Sequence, residues 1–513
     1  PNGSDIFVSR LSADGTQLAA STYIGGAGND GLNYKRSFSN SNYNIIFDGN
    51  DSLYCNYGDG ARGELITDDM NNIYVGSCSF SYNFPLTPGS FQTSYGGGQD
   101  GVVFKLDYNL SNLLWSSYIG GSGDDAVYSI DTDSEYNLIV SGGTNSTNFP
   151  TTVNAYQPTF AGGGADCFVA KINYGGSQLL ASTFYGSDSN EQAYFVRLSN
   201  NNDVHIFGQT RAAGNTMIRN ALYNTPGSGQ LLAKFTPNLD SLVWSTVFGT
   251  GGSRPNISPT AFEVDICGRV YCAGWGRDFC GYNINGQNIP WNTYGTAGMQ
   301  TSLNAIQSST DGQDFYIISI AGDASAVEYA TFFGELHLSA GDAGGDHVDG
   351  GTSRFDRMGT LYQSVCASCG GAQDFPTTAG SWDTVNRSTN CNNGIFKLNI
   401  HDDFPVADFI TPTVGCAPDT IDFENVGRGT SFYWDFGDST YSAEQNPTHI
   451  YATPGIYTVT LIATMANGCS TGDTLRKDLV VLGDTTYFLD TVYPCPNLPV
   501  QIGIQPVAGY TYH

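Results

Sequence analysis

Between Asp100 and Ala165, apolar or alternating runs fall at Val102–Leu106, Leu113–Ile119, Val127–Ile130 and Leu138–Val140, separated by turns rich in Gly, Asp and Asn. Short runs of this kind, bounded by turn residues, predict consecutive antiparallel strands. The pattern recurs. Ser21-Thr-Tyr-Ile-Gly-Gly26, Ser116-Ser-Tyr-Ile-Gly-Gly121, Ser182-Thr-Phe-Tyr-Gly-Ser187, Ser245-Thr-Val-Phe-Gly-Thr250 and Ala330-Thr-Phe-Phe-Gly-Glu335 align without gaps, each 16 residues after a strand starting at Asp5, Asp100, Asp166, Gly229 or Asp314. A further strand follows in each copy, at Ile73, Leu138, Val204, Val270 and Leu361. Phe84-Pro, Phe149-Pro and Phe375-Pro mark a fourth landmark, and a last strand begins at Gly394-Ile-Phe-Lys-Leu398.

A four-stranded unit cannot bury both faces alone, so the copies must pack on one another. The expected fold class is all-β: a β-propeller of four-stranded blades over 1–400, with repeats starting near 5, 100, 166, 229 and 314 and a last strand at 394–400. Ring size is left open by the repeats.

Composition sharpens this. Gly accounts for 64 of 513 residues, against a usual share of about 7%. Aromatics reach 13%, which excludes a disordered chain, and charged residues are only 13%. The net charge of −28 sets nucleic acid aside as a partner, because phosphates would repel it. No apolar run is long enough for a membrane-spanning helix. The opening Pro1-Asn-Gly-Ser-Asp is not a signal peptide, and a repeat is already under way by Asp5; the expectation is a piece, or a processed form, of a longer chain. Twelve cysteines, several close together, point to an oxidising, extracellular compartment.

Phe168-Val-Ala-Lys-Ile172, Ser116-Ser-Tyr-Ile-Gly-Gly-Ser-Gly-Asp-Asp125 and Asn148-Phe-Pro-Thr-Thr152 resemble the SBBP family of β-propeller repeats, over about residues 5–400. The pattern changes at His401-Asp-Asp-Phe-Pro405. Tyr433-Trp-Asp-Phe-Gly-Asp438, Asn446-Pro-Thr-His-Ile-Tyr451 and the alternating Ile456–Leu461 resemble a PKD domain, which implies an Ig-like β-sandwich over 401–482. Residues 483–513, with Val500-Gln-Ile-Gly-Ile504, read as the start of a further, incomplete Ig-like domain. That segment would be closed by sequence further downstream or by a strand from a neighbouring chain, the latter building a fibre. The domain order resembles large surface proteins of type-IX-secreting gliding bacteria.

Candidate chemistry is sparse. Asp342, Asp346, His347 and Asp349 place four potential metal ligands within eight residues, and hard oxygens would suit a structural Ca²⁺, against the plainer reading of solvated loop acids. Asp131–Asn137 lacks the Gly and Glu of a calcium loop, and turn chemistry explains it better. Cys416 with Cys469, Cys366 with Cys369 and Cys391, and Cys272 with Cys280 are the disulfide candidates, their pairing open. Asp followed by Ser or Thr at Ser52, Ser241, Thr384, Thr420, Ser439, Thr474, Thr485 and Thr491 resembles an O-glycosylation sequon. Trp275, Trp291 and Trp382 could stack on sugars or pack between blades. No nucleophile–base arrangement is visible, so no catalytic or cofactor-binding residue is assigned. The expectation is an extracellular structural or adhesive surface protein, not an enzyme, with surface or matrix glycans and proteins as partners and self-assembly through 483–513. The rival expectations are a glycan-binding propeller and an accessory region of a larger secreted hydrolase.

Overall fold

A computed structural model describes residues 3–483, apart from 33–35, 40–41, 46–62, 277–294, 337–345, 347, 349–352, 357–358, 369–370, 402, 413, 419 and 467–471; for 36–39 and 42–45 it describes the backbone only. The described residues contain strands and no helix. They form two compact units, 1–400 and 401–513.

The first unit holds a series of meandering antiparallel sheets. Sheet I is Glu64–Thr67, Ile73–Ser79, Asp100–Leu106 and Leu113–Ile119. Sheet II is Asp125–Thr132, Leu138–Thr144, Asp166–Ile172 and Leu179–Tyr185. Sheet III is Glu191–Leu198, Val204–Thr210, Gln230–Phe235 and Leu242–Phe248. Sheet IV is Ser258–Val264, Val270–Trp275, Phe315–Ile320 and Val327–Phe333. Sheet V has Arg354–Phe355, Thr360–Ala367 and Asn392–Asn399, and a hairpin of Ile6–Leu11 with Leu18–Ile24 precedes sheet I.

The sheets are offset from the sequence repeat by two strands. The pair that begins the second copy, Asp100–Leu106 and Leu113–Ile119, closes sheet I, and the next pair opens sheet II. The long segment from Phe80 to Gln99 therefore joins neighbours within one sheet, whereas the short Gly120–Asp124 turn crosses between sheets.

Each long segment straps its own sheet. In sheet II, Phe149 packs on Phe168 with ring centroids 4.4 Å apart and on Phe184. Gln157 receives Gly186 N–H at 3.1 Å on its carbonyl, donates its amide to Asp166 at 3.0 Å, and gives its backbone N–H to Thr183 Oγ1 at 2.9 Å. Gln92 and Gln307 repeat the arrangement in sheets I and IV. In the lone hairpin the cross-strand pair Phe7 and Tyr23 stays exposed, while the matching Val102 and Tyr118 of sheet I are buried.

The first hairpin of each sheet uses one turn. Asn71, Tyr136, Asn202, Gly268 and Gly359 take positive φ at its fourth position, a left-handed conformation that tight turns require. Asp133 Oδ1 accepts the Glu135 and Asn137 amides at 2.9 Å, while Oδ2 meets Lys171 at 2.7 Å. Asp133, in the segment first compared with a calcium loop, is thus occupied by its own turn and by Lys171. Lys105–Asp68 at 3.0 Å and Lys234–Asp203 at 2.9 Å repeat the ion pair. Sheet IV has Ser319 where the lysine stands, and Arg269, at the end of the turn, binds Asp265 at 2.7 Å instead.

In the second unit a five-stranded sheet runs in the order Val414–Cys416, Gly472–Leu482, Gly455–Thr464, Ser431–Asp435, Tyr441–Ser442. Two short pairs accompany it, Phe409–Ile410 with Glu424–Asn425 and Thr420–Asp422 with Thr448–Ile450. Trp434 is fully buried among Phe409, Phe423 and Leu461, and its indole N–H donates to Glu444 O at 2.9 Å. The Ig-like continuation expected for 483–513 falls on residues outside those described, apart from Gly483.

Candidate functional site

The first strands of sheets I to IV converge on one ionic cluster, in which Glu64 is buried and Asp131, Arg197 and Glu263 are half-buried. Each presents a side chain to it: Glu64, Asp131, Arg197 and Glu263. Arg197 Nη2 lies 2.8 Å from Glu64 Oε1 and its Nε lies 3.8 Å from Glu263. Glu64 Oε2 accepts the Ser129 hydroxyl and the Ile130 N–H, and Asp131 Oδ2 accepts the Leu198 N–H at 2.9 Å.

One guanidinium serves three acids. Burial opposes the charge on Glu64, but Arg197 outweighs it and the carboxyl is held below its usual range. Burial wins at Asp131 and Glu263, which rise to about 6 and about 7 despite Arg197. The charge of Arg354, on the first strand of sheet V, also acts on Glu64. Pattern reading missed this cluster, because its members stand on four strands far apart in sequence, with Asp131, Arg197 and Glu263 one repeat apart and Glu64 off that register. The one available signal was a charged residue at the same place in several otherwise apolar first strands.

The cluster has the chemistry of a structural hub. Its one hydroxyl, Ser129, donates to Glu64 and accepts the Val196 N–H at 3.0 Å, and the imidazole on the neighbouring strand is engaged elsewhere. His205 is buried against Trp244, and burial together with Lys234 pushes its pKa down to about 3, so it stays neutral. Among the described residues no three His, Cys, Asp or Glu side chains converge to hold a metal ion.

The sequence candidates scatter. Asp342, His347 and Asp349 lie outside the described residues. Asp346 is buried beside Asp314 at Gly334, and its oxygens accept the backbone N–H groups of Glu335 at 2.8 Å and Ser368 at 3.1 Å. Cys267, Cys391 and Cys416 are disulfide-bonded, and the described residues do not include their partners; Cys280, Cys369 and Cys469 are outside.

Cys272 corrects an expectation. It is a free thiol wholly buried on the second strand of sheet IV, with its side chain in the core, where a loop cysteine cannot reach it. Cys366, half-buried on a strand of sheet V, is likewise not among the disulfide-bonded cysteines. Trp275 is buried in the core between sheets IV and V, which removes it as a sugar platform; Trp291 is outside the described residues and Trp382 is fully exposed. Ser241, Thr384, Thr420, Ser439 and Thr474 are all exposed, while Ser52, Thr485 and Thr491 are outside.

What the surface does repeat is an apolar residue on the straps. Val153, Leu222, Leu303 and Trp382, on the straps of sheets II to V, are fully or nearly fully exposed. Val153 and Leu303 stand four residues before Gln157 and Gln307, a place held by Pro88 in the strap of sheet I, while Leu222 and Trp382 lie elsewhere on their straps.

Comparison with known proteins adds to the second unit. Over 42 residues the chain is 48% identical to Collagenase ColA of Bacillus cereus, a stretch covering 8% of this chain and 4% of the collagenase. The PKD1 domain of Vibrio anguillarum Epp is similar at 28% identity over 16% of this chain and 96% of that one, with a TM-score of 0.14. The PKD1 domain of the Vibrio cholerae metalloprotease PrtV shows 30% identity over 15% and 96%, with a TM-score of 0.13. A polysaccharide lyase described as an ulvanlyase covers 88% of the chain at 10% identity and a TM-score of 0.33, too low to carry an argument. Residues 403–480 match the PKD domain family. The second unit thus contains a PKD domain, spanning 403–480.

Proposed function

We propose that this chain is the extracellular, non-catalytic display region of a surface protein. The repeated sheets form a stiff propeller-like platform, its straps bind glycans or proteins of a cell surface or matrix, and the PKD domain is a spacer. One observation carries this: an exposed apolar residue recurs on the straps of four consecutive sheets. A single exposed apolar side chain needs no explanation. Four on consecutive straps suit weak contacts made many times, where avidity multiplies small affinities. The buried polar groups support it by being occupied in holding sheets together, in turn ion pairs and the Arg197 hub.

The test is binding of the full chain to immobilised polysaccharides and matrix proteins. The variant carrying Val153→Ser, Leu222→Ser, Leu303→Ser and Trp382→Ser is expected to lose about 10²-fold in avidity. Equal binding by both proteins would remove the proposal.

The likeness to a collagenase favours one second reading, an accessory region of a larger secreted hydrolase. On that reading, deleting residues 1–400 from the complete polypeptide lowers turnover of an insoluble polymer and leaves a soluble substrate unaffected. The fibre-forming role expected of 483–513 rests on residues beyond those described, and electron microscopy of the protein as released from cells tests it.

A further inference from the structure

The crossings between neighbouring sheets bring buried polar side chains against a glycine. At the crossing from sheet I to sheet II these are Asp100, on the third strand of I, and Asp125, at the start of II. Both are wholly buried. A Cβ placed on Gly120 would lie 2.7 Å from Asp100 Oδ1 and 2.8 Å from Asp125 Oδ2, so only glycine lets the two carboxyls close on this point. Asp125 is fully engaged: it accepts Gly121 N–H at 2.7 Å, the Ser146 hydroxyl at 2.8 Å and the Thr144 hydroxyl. Asp100 Oδ2 accepts Gly96 N–H at 2.6 Å, but its Oδ1, facing Gly120, has no partner.

The arrangement repeats. Asp166 and Glu191 stand at the crossing from II to III, with Asp166 Oδ2 accepting Ala161 N–H at 2.7 Å and Glu191 accepting Ser187 N–H and the Thr210 hydroxyl, both at 2.7 Å. Asp166 Oδ1, buried against Gly186, is again without a partner. Asp5 and Asp30 flank Gly25 between the hairpin and sheet I.

The crossing from III to IV is the built-in exception. Gly229 stands where Asp100 and Asp166 stand, and the other side chain at the glycine is Asn256, uncharged, with Gln230 bonded beside it. Gln230 Oε1 accepts Asn256 N–H at 2.6 Å and its Nε2 donates to Ile257 O at 2.7 Å, while Asn256 Oδ1 accepts Thr250 N–H at 2.9 Å. This crossing thus carries no carboxyl pair, and the Gln230 amide is partnered through both its oxygen and its nitrogen. Two carboxylates this close, both buried, cannot ionise together without large cost.

We propose that the Asp100–Asp125 and Asp166–Glu191 pairs each hold a proton that the unfolded chain would release, so that these crossings are proton-dependent locks between sheets. The groups acting on them bring no compensating cation. Asp124 acts on Asp100 and Asp125, Asp188 acts on Glu191, Tyr95, Tyr118 and Cys167 lie alongside, and all are acidic or neutral. Burial first, and then the partner carboxyl, pushes Asp100 up to about 7; burial pushes Asp125 to about 6; burial and then Glu191 push Asp166 to about 7; and burial raises Glu191. With folded values above unfolded ones, the folded state binds more protons between pH 4 and 7, so stability falls as pH rises through that window.

The test compares crossings within one wild-type chain by hydrogen exchange at pH 5, 6, 7 and 8, corrected for the intrinsic rate. Amides of Gly121, Asp125 and Ser187 are expected to open more readily by up to about tenfold per pH unit for each proton held between pH 5 and 7, levelling off by pH 8. The Thr250 and Asn256 amides at the neutral crossing should show no such trend. In the Asp100→Asn, Asp166→Asn double variant the trend should vanish at the two altered crossings. Equal pH trends at the acidic and neutral crossings in the wild type would overturn the proposal, even where the variant fails to fold.

Discussion

Lys105 shows how closely single residues are fitted. Its ammonium meets Asp68 at 3.0 Å and the Tyr74 hydroxyl at 2.7 Å, and lies over the Tyr174 ring, with both charged side chains almost wholly buried. A buried ion pair adds little beyond an apolar isostere, but breaking it strands a charge. Lys105→Met is therefore expected to destabilise the first unit by about 3 kcal/mol, read from denaturant unfolding. The two tryptophans diverge in the same terms. Trp275→Ala removes a buried side chain and should cost about 3–5 kcal/mol. Trp382→Ala should change stability by less than about 0.5 kcal/mol while weakening polymer binding. An unchanged unfolding midpoint for Trp275→Ala would contradict its placement in the core. These assignments were only partly legible. A tryptophan in a strand and one in a strap look alike in sequence, and burial is decided by which neighbouring sheet covers them.

At the scale of elements, the strands were plain in the alternation of apolar and polar residues, and the grouping of strands into sheets was not. Short loops ordinarily join strand neighbours, so Gly120–Asp124 reads as a hairpin turn. It instead carries the chain across to the next sheet, because Asp125 is buried with Thr144 and Ser146 of that sheet. The straps explain how a long segment can join adjacent strands without floating free. Gln157 is the peg, bonding through both amide groups and its backbone. Gln157→Leu leaves Asp166 and the Gly186 amide unserved. The strap should loosen by about 1–3 kcal/mol, seen as faster proteolysis within 150–162. Unaltered cleavage would show that Phe149 alone holds it. The recurrence of Phe91-Gln92, Tyr156-Gln157 and Ile306-Gln307 was the available signal.

For the molecule as a whole, the PKD domain was readable because Trp434, Asp435 and the downstream Asn446–His449 run lie within one short stretch. The Arg197 hub was not, since its members are spread from Glu64 to Glu263 and meet only when four sheets assemble. Arg197→Leu leaves Glu64, Asp131 and Glu263 without their guanidinium. It should lower the stability of the first unit by about 3–5 kcal/mol and leave the unfolding of 401–483 unchanged. Calorimetry separates the two transitions, and a coupled loss of both would contradict the division into two units. The functional claim also belongs to this scale, because it concerns several straps acting together. Its most direct measurement is the affinity for a bound surface polymer as the four strap residues Val153, Leu222, Leu303 and Trp382 are replaced by serine one after another. The account predicts that each replacement lowers avidity by a multiplicative step, with little affinity left after the fourth. Full affinity in the fourfold variant, or no binding by the wild-type chain to any surface or matrix polymer, would contradict it.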